Sequence, residues 1–184
     1  MAGVGDLHAR GGARTYSHGN ALTVATAPRG DATPSRWLRT RPDALALGLT
    51  IAALALHALV LGAPVPWAQS VPLGITSMLA GFGWAAWASW SLRRAGTALS
   101  SLATPTLLVD EGPYRFHRHP IYLGIVVVML GLGVAAGVPL MLVAAANFVA
   151  IVSTVHIPHE EARLQRAFGG WYSDYAASVR RWMP

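Results

Sequence analysis

The chain has 184 residues, 53% of them hydrophobic and 12% charged, with a formal net charge of +6. Soluble domains carry roughly a quarter of their residues as charges, so this composition excludes an ordinary soluble domain and points to the membrane class. There is no cysteine, which removes disulfides, thiolate nucleophiles and cysteine-based metal sites, and every basic residue other than histidine is arginine.

Residues 1–35 are rich in Gly, Ala, Thr, Ser and Pro and lack apolar periodicity, so they read as a disordered tail ahead of a membrane domain over 36–184. They also lack the apolar stretch of a secretory signal. Four apolar runs follow, at about 44–63, 71–92, 120–136 and 138–157. About 20 helical residues cross about 30 Å of hydrocarbon, so the first two suffice by length; the third is short and is expected to borrow from its flanks. Gly137 and Pro139 break the third from the fourth. The expected fold is all-α: a polytopic helical membrane protein with about four spans, its C-terminal helical segment closing a pocket.

Within the first run, His57 is an ionisable intramembrane residue, a candidate by default, although a neutral histidine bonded to a neighbouring helix fits equally well. In the second, Trp84, Trp87 and Trp90 recur at three-residue spacing, as an aromatic wall for a lipid or as packing and interface anchors.

Arginines set the expected orientation. Arg36, Arg39 and Arg41 precede the first run, and Arg93 and Arg94 follow the second. Arg115 and Arg118 precede the third, and Arg163, Arg166, Arg180 and Arg181 follow the fourth. The loops around Pro64–Ser70 and Gly137–Pro139 have none, so the positive-inside rule puts both termini in the cytoplasm, as an even span count also requires. Arginines that flank apolar runs, without a stripe of interleaved aromatics, argue against a nucleic-acid partner.

The segment GPYRFHRHPIYLG, residues 112–124, leads into the third run, and HIPHEE, residues 156–161, leaves the fourth. Two polar clusters at the same ends of a helical hairpin emerge on one side of a bilayer. Beyond them Leu164, Phe168, Tyr172, Tyr175, Val179 and Trp182 step by three or four, one apolar stripe on a helix interrupted at Gly169–Gly170. That stripe suits either the interface or the protein's own loop.

These pieces resemble the integral-membrane methyltransferases typified by isoprenylcysteine carboxyl methyltransferase and the phospholipid N-methyltransferases. The matching strings are GTAL at 96–99, LLVDEGPYRFHRHPIYLG at 107–124, HEEARLQRAFGGWYSDY at 159–175 and VRRWMP at 179–184. The combination of RHPxYxG with a downstream Glu-Glu, FG and YxxY carries the likeness, over roughly residues 90–184. The resemblance implies S-adenosylmethionine as methyl donor, held on the cytoplasmic face of an inner membrane, and a lipophilic small molecule or lipid as acceptor. It implies that Gly112, Tyr114, His119, Pro120, Tyr122, Gly124, Glu160 and Glu161 line the cofactor. Arg118 belongs to the same motif; Arg118 or Arg180 would steer an anionic acceptor, and a glutamate such as Glu161, or His156, would take a proton from a protic one.

The residue types suit that chemistry. A carboxylate pair receives an ammonium, an arginine receives a carboxylate bidentately, and Pro120 sets where the helix starts. In the isoprenylcysteine enzymes an arginine sits about a turn before the carboxylates; here the turn before Glu161 contains His156 and no arginine, a departure that weighs against a prenylcysteine carboxylate substrate, although a histidine, cationic near neutral pH, substitutes in part. The nearest reaction within the resemblance is isoprenylcysteine carboxyl O-methylation, with phospholipid N-methylation and small-thiol S-methylation as alternatives. An NADPH-dependent sterol-reductase-like enzyme and a non-catalytic membrane protein are the rivals of other classes. No metal is expected: Pro158 interrupts the spacing of His156 and His159, and HExxH is absent.

Overall fold

The computed structural model describes residues 41–96 and 108–182. The expected tail at 1–35, Arg36, Arg39, most of the GTAL string and the last two residues lie outside them. Six helices follow in order: α1 Pro42–Val60, α2 Val71–Arg94, α3 Pro120–Ala136, α4 Leu140–Ile151, α5 Ile157–Phe168 and α6 Gly170–Ser178. Single tight turns occur at Pro66–Ala68 and Gly112–Arg115, and the described residues contain no β-sheet. By length and composition three helical runs can cross a membrane: Pro42–Val60, Val71–Arg94 and the continuous Leu140–Phe168. Pro120–Ala136 is a shorter apolar helix. The protein is an all-α polytopic membrane protein.

The fourth apolar run does not stop at residue 157. Pro158 has no N–H for the carbonyl of Thr154, and its ring crowds that carbonyl. The helix accommodates this with a wider, π-type turn over Val152–His156 and continues into α5. The third run borrows nothing from its flanks. It starts at Pro120, whose fixed φ suits a first helical position, and ends at Gly137, whose left-handed φ of 65° closes the helix.

Helices α2 and α3 pack through a seam of small residues. A Cβ on Gly81 would lie 2.7 Å from the Gly124 carbonyl oxygen, and one on Gly124 would lie 2.6 Å from that of Gly81. Gly74 and Gly131 repeat the arrangement one heptad away, against Ala135 and Met78. Lipid gives helices no hydrophobic reason to associate, so such close backbone approach supplies the dispersion contacts that hold them. On the other side of α3, Ala46 and Ala53 of α1 join Met129, Met141, Ala145 and Phe148 in one core.

The two arginine-free loops lie at one end of this bundle. Val65 N–H donates to Gly137 O at 2.9 Å, and Ser70 N–H donates to Val134 O at 2.9 Å. Nearby, His57 Nε2 lies 3.1 Å from Ala63 O, so its polar edge ties down the end of its own helix.

Candidate functional site

At the opposite end the two polar segments meet. Arg118 has a backbone N–H that donates to Arg180 O at 3.0 Å, and His117 pairs with Arg180 in a short parallel bridge. Tyr175 donates its hydroxyl to Tyr114 O at 2.7 Å, a buried bond that clamps α6 onto the loop before α3. The stripe Leu164, Phe168, Tyr172, Tyr175 and Val179 packs on itself and on Leu108, so it covers the protein's own loop. Trp182 leaves that stripe, because α6 ends at Ser178 and the chain runs on extended; it joins the transmembrane core and donates Nε1–H to Ser153 Oγ at 3.0 Å.

This docking assembles a cluster of two carboxylates and three cationic side chains. Arg118 Nη1 donates to Glu161 Oε1 at 2.9 Å. Arg181 reaches the same carboxylate with Nε and Nη2, a two-pronged contact of the kind that gives ion pairs both strength and direction. His119 has Nδ1 3.5 Å from Glu160 Oε2 and Nε2 3.4 Å from Glu161 Oε1. Tyr122 donates its hydroxyl to Glu160 Oε1 at 2.6 Å, and its ring stacks on that of His119 at 5.7 Å. With a carboxylate at each ring nitrogen, His119 is matched to the imidazolium form, which donates from both.

The electrostatics follow. Burial pushes the His119 pKa down, but bonding to Glu160 and Glu161 outweighs it and the net shift is upward. Burial pushes Glu161 up, yet hydrogen bonds from His119 and Arg181 and the charges of Arg118 and Arg181 hold it at about 2. Tyr114 sits beside Tyr175 and Glu160, and burial first, then those neighbours, raises its phenol above the ordinary range.

The structure thus brings together Arg118, His119, Tyr122, Glu160 and Glu161, with Tyr114 beside them and Pro120 setting the helix start. Three expected residues take other positions. Arg180 contributes its backbone and turns its side chain to solvent, because neighbours in an extended segment face opposite ways and Val179 and Arg181 take the inner face. Gly124 faces α2, where only a glycine fits the approach. Gly112 adopts a φ of 60° that favours glycine, against Ser91 and Trp87 of α2. The aromatic row on α2 continues into the loop: Trp84 lies edge-on to Trp87 at 5.6 Å and tilted against Phe116 and His117.

Sequence reasoning missed Arg181 and Tyr172. The signal for Arg181 lay in alternation once Val179 is buried; Tyr172 was visible only as an apolar stripe position. Its buried hydroxyl lies beside the Arg118 guanidinium and close enough to Glu161 and Arg181 to feel their charge. Arg118 Nε and both ring nitrogens of His156 are buried without partners. His156, 2% exposed, lies one helical turn before Glu160.

A helical membrane protein with an ionic cluster where its hairpin emerges is a recognisable class, and the comparisons agree with it. The family model described as phospholipid methyltransferase matches residues 70–170, more than half of the chain. The chain belongs to the phospholipid methyltransferase family. It is also similar to protein-S-isoprenylcysteine O-methyltransferase A of Arabidopsis thaliana, 39% identical over 77 residues, covering 42% of this chain and 39% of that protein. The B form from the same plant is 36% identical over 77 residues, with the same coverage. The similarity therefore spans about two fifths of those relatives' length. No solved structure matches the chain.

Proposed function

We propose that the protein is a membrane methyltransferase that uses S-adenosylmethionine and acts on a lipophilic acceptor. The observation that carries this reading is the convergence of Arg118, His119 and Tyr122 on Glu160 and Glu161, across 38 to 43 residues of sequence, at the mouth of the hairpin. The similar plant proteins are named for O-methylation of an isoprenylcysteine, which supports methyl transfer at a membrane surface.

The residues fit the donor. Its ammonium suits Glu160 and Glu161, and its carboxylate suits Arg118 and Arg181. Arg118 Nε, buried without a partner, is a polar atom of the kind a polar ligand satisfies. When bound, S-adenosylmethionine supplies an electrophilic methyl group on a sulfonium. The chain's own contribution is to hold, align and exclude water; alignment alone is worth roughly 7 to 11 kcal/mol in favourable cases. Tyr175, Val179 and Trp182 fasten the C-terminal segment over the cluster, and that cover keeps the ion pairs in a low-dielectric setting where they act more strongly.

The arginine distribution supports a cytoplasmic position for this face in a cell membrane, with both termini on that side. The test is isothermal titration of the purified protein in nanodiscs with S-adenosylmethionine and, separately, NADPH, followed by transfer of a tritiated methyl group to extracted membrane lipids. Binding of the first cofactor and labelling of a lipophilic product are expected. Binding of NADPH alone would overturn the reading.

A further inference from the structure

Residues 180–182 form a strap that crosses the site. Arg180 O accepts the Arg118 N–H at 3.0 Å, which fixes the strap on the loop before α3. Arg181 then grips Glu161 with Nε and Nη2. Trp182 follows, with its ring against the transmembrane core and its Nε1–H donated to Ser153 Oγ at 3.0 Å. Arg181 is thus held between two anchors on different elements. Its side chain is 39% exposed, so water competes for it, and its many rotamers oppose a single geometry. A backbone pinned on both sides removes part of that ordering cost before a ligand arrives.

The two side chains of the strap reach apart. Ser153 and Glu161 sit on one continuous helical run, eight positions from each other, roughly 10 to 12 Å along the axis at about 1.5 Å per residue. Adjacent residues can grip both only if the two targets share a face. In an unbroken α-helix they would not, because eight steps of about 100° leave them about 80° apart around the axis. The turn between them is widened: over Val152–His156 the Ile157 N–H reaches back to Val152 O, five residues away. Such a turn takes up about one residue more than an α turn, so eight positions rotate as about seven and the offset falls to about 20°. The widening ahead of Pro158 therefore places Ser153 under Trp182 while Glu161 stays under Arg181.

We propose that Trp182 and Ser153 are positioning residues for the donor site: their hydrogen bond, aligned by the widened turn, holds Arg181 on Glu161 and so presets the pair for the donor's carboxylate and ammonium. The inference rests on the methyltransferase reading and adds two residues that act through Arg181.

The test compares variants of the full chain in nanodiscs. Trp182→Phe keeps a ring against the core and loses the N–H. Ser153→Ala removes the same bond from the other side, and Ser153→Thr keeps the hydroxyl. Isothermal titration with S-adenosylmethionine should show affinity about three- to tenfold weaker in the first two and within about twofold of the wild type in the third. Arg181→Gln separates positioning from packing. On that background Trp182→Phe should weaken binding no further, since the residue it positions is gone, whereas a general loss of packing would add the same factor in both backgrounds. A second readout needs no donor. Trypsin cleaves after arginine, and mass spectrometry follows cleavage after Arg181. The wild type and Ser153→Thr should resist, and Trp182→Phe and Ser153→Ala should be cut several-fold faster. Wild-type donor affinity in both Trp182→Phe and Ser153→Ala, additive losses with Arg181→Gln, no rescue by Ser153→Thr, or unchanged cleavage overturns the proposal. A wild type that binds no S-adenosylmethionine, with the cleavage pattern intact, would instead remove the methyltransferase reading and with it the donor role of the strap.

Discussion

Arg118 and Glu161, 43 residues apart in sequence, meet at 2.9 Å with side-chain exposures of 17% and 14%. A contact this shielded is costly to break from one side, because the remaining charge stays buried and unpaired. Glu161→Gln removes the anion that three cationic groups share. Donor affinity is expected to fall by roughly 10-fold to 150-fold, the loss of a charge-assisted contact of about 1.5 to 3 kcal/mol. Isothermal titration measures it, and equal affinity in both proteins would count against the site.

The same carboxylate makes stability depend on acid. Glu161 is held at about 2 against an ordinary 4.5, so its contribution is present above 4.5 and lost as pH falls towards 2. His119 is shifted the other way, upward from 6.5, so its contribution is complete below 6.5 and lost as pH rises through its higher folded value. Thermal midpoints of the protein in nanodiscs should decline on both flanks. Glu161→Gln should flatten the acid one.

Two adjacent arginines should behave differently. Arg181→Gln breaks a two-pronged pair whose arginine is 39% exposed, and solvent screening limits the loss to about 1 kcal/mol. That corresponds to a fall of roughly 2 to 4 °C in Tm for a chain of this size. Arg180→Gln keeps the backbone bonds and should stay within about 0.5 kcal/mol. Differential scanning fluorimetry separates them; a larger loss at residue 180 would reverse the assignment.

The glycine seam offers its own control. Gly81→Ala puts a methyl 2.7 Å from the Gly124 carbonyl oxygen, so α2 and α3 must separate, at a cost of about 1 to 3 kcal/mol. Gly83→Ala, two residues on, meets nothing within 4 Å and should cost nothing. Thermal unfolding of the two variants side by side checks the packing.

Tyr175→Phe deletes the hydroxyl bonded to Tyr114 O and leaves that buried carbonyl oxygen without this donor. A loss of about 1 to 3 kcal/mol is expected, together with faster proteolysis of the segment after residue 168. Unchanged protease resistance would mean that the clamp does not hold the cover.

Apolar run length and the lone Gly137 made the helices and their breaks readable, because both act through local backbone physics. Pro120 and Gly169 marked boundaries for the same reason. The helix continues past the end of the fourth apolar run, through a π-type turn that precedes Pro158, which no local signal records. His119, Tyr122, Glu160 and Glu161 were legible as chemistry at the ends of one hairpin, and the family likeness added their order. The division between Arg180 and Arg181, the particular partner of Gly124 on α2, and the partnerless state of His156 were not. Those depend on which face of an element meets a neighbour, and facing is fixed by packing across tens of residues. Composition and periodicity by themselves determined a helical membrane protein with polar segments at one end. Only the tertiary structure decided which of those polar groups share a bond, because Coulomb and hydrogen-bond energies act over a few ångströms that sequence distance does not measure.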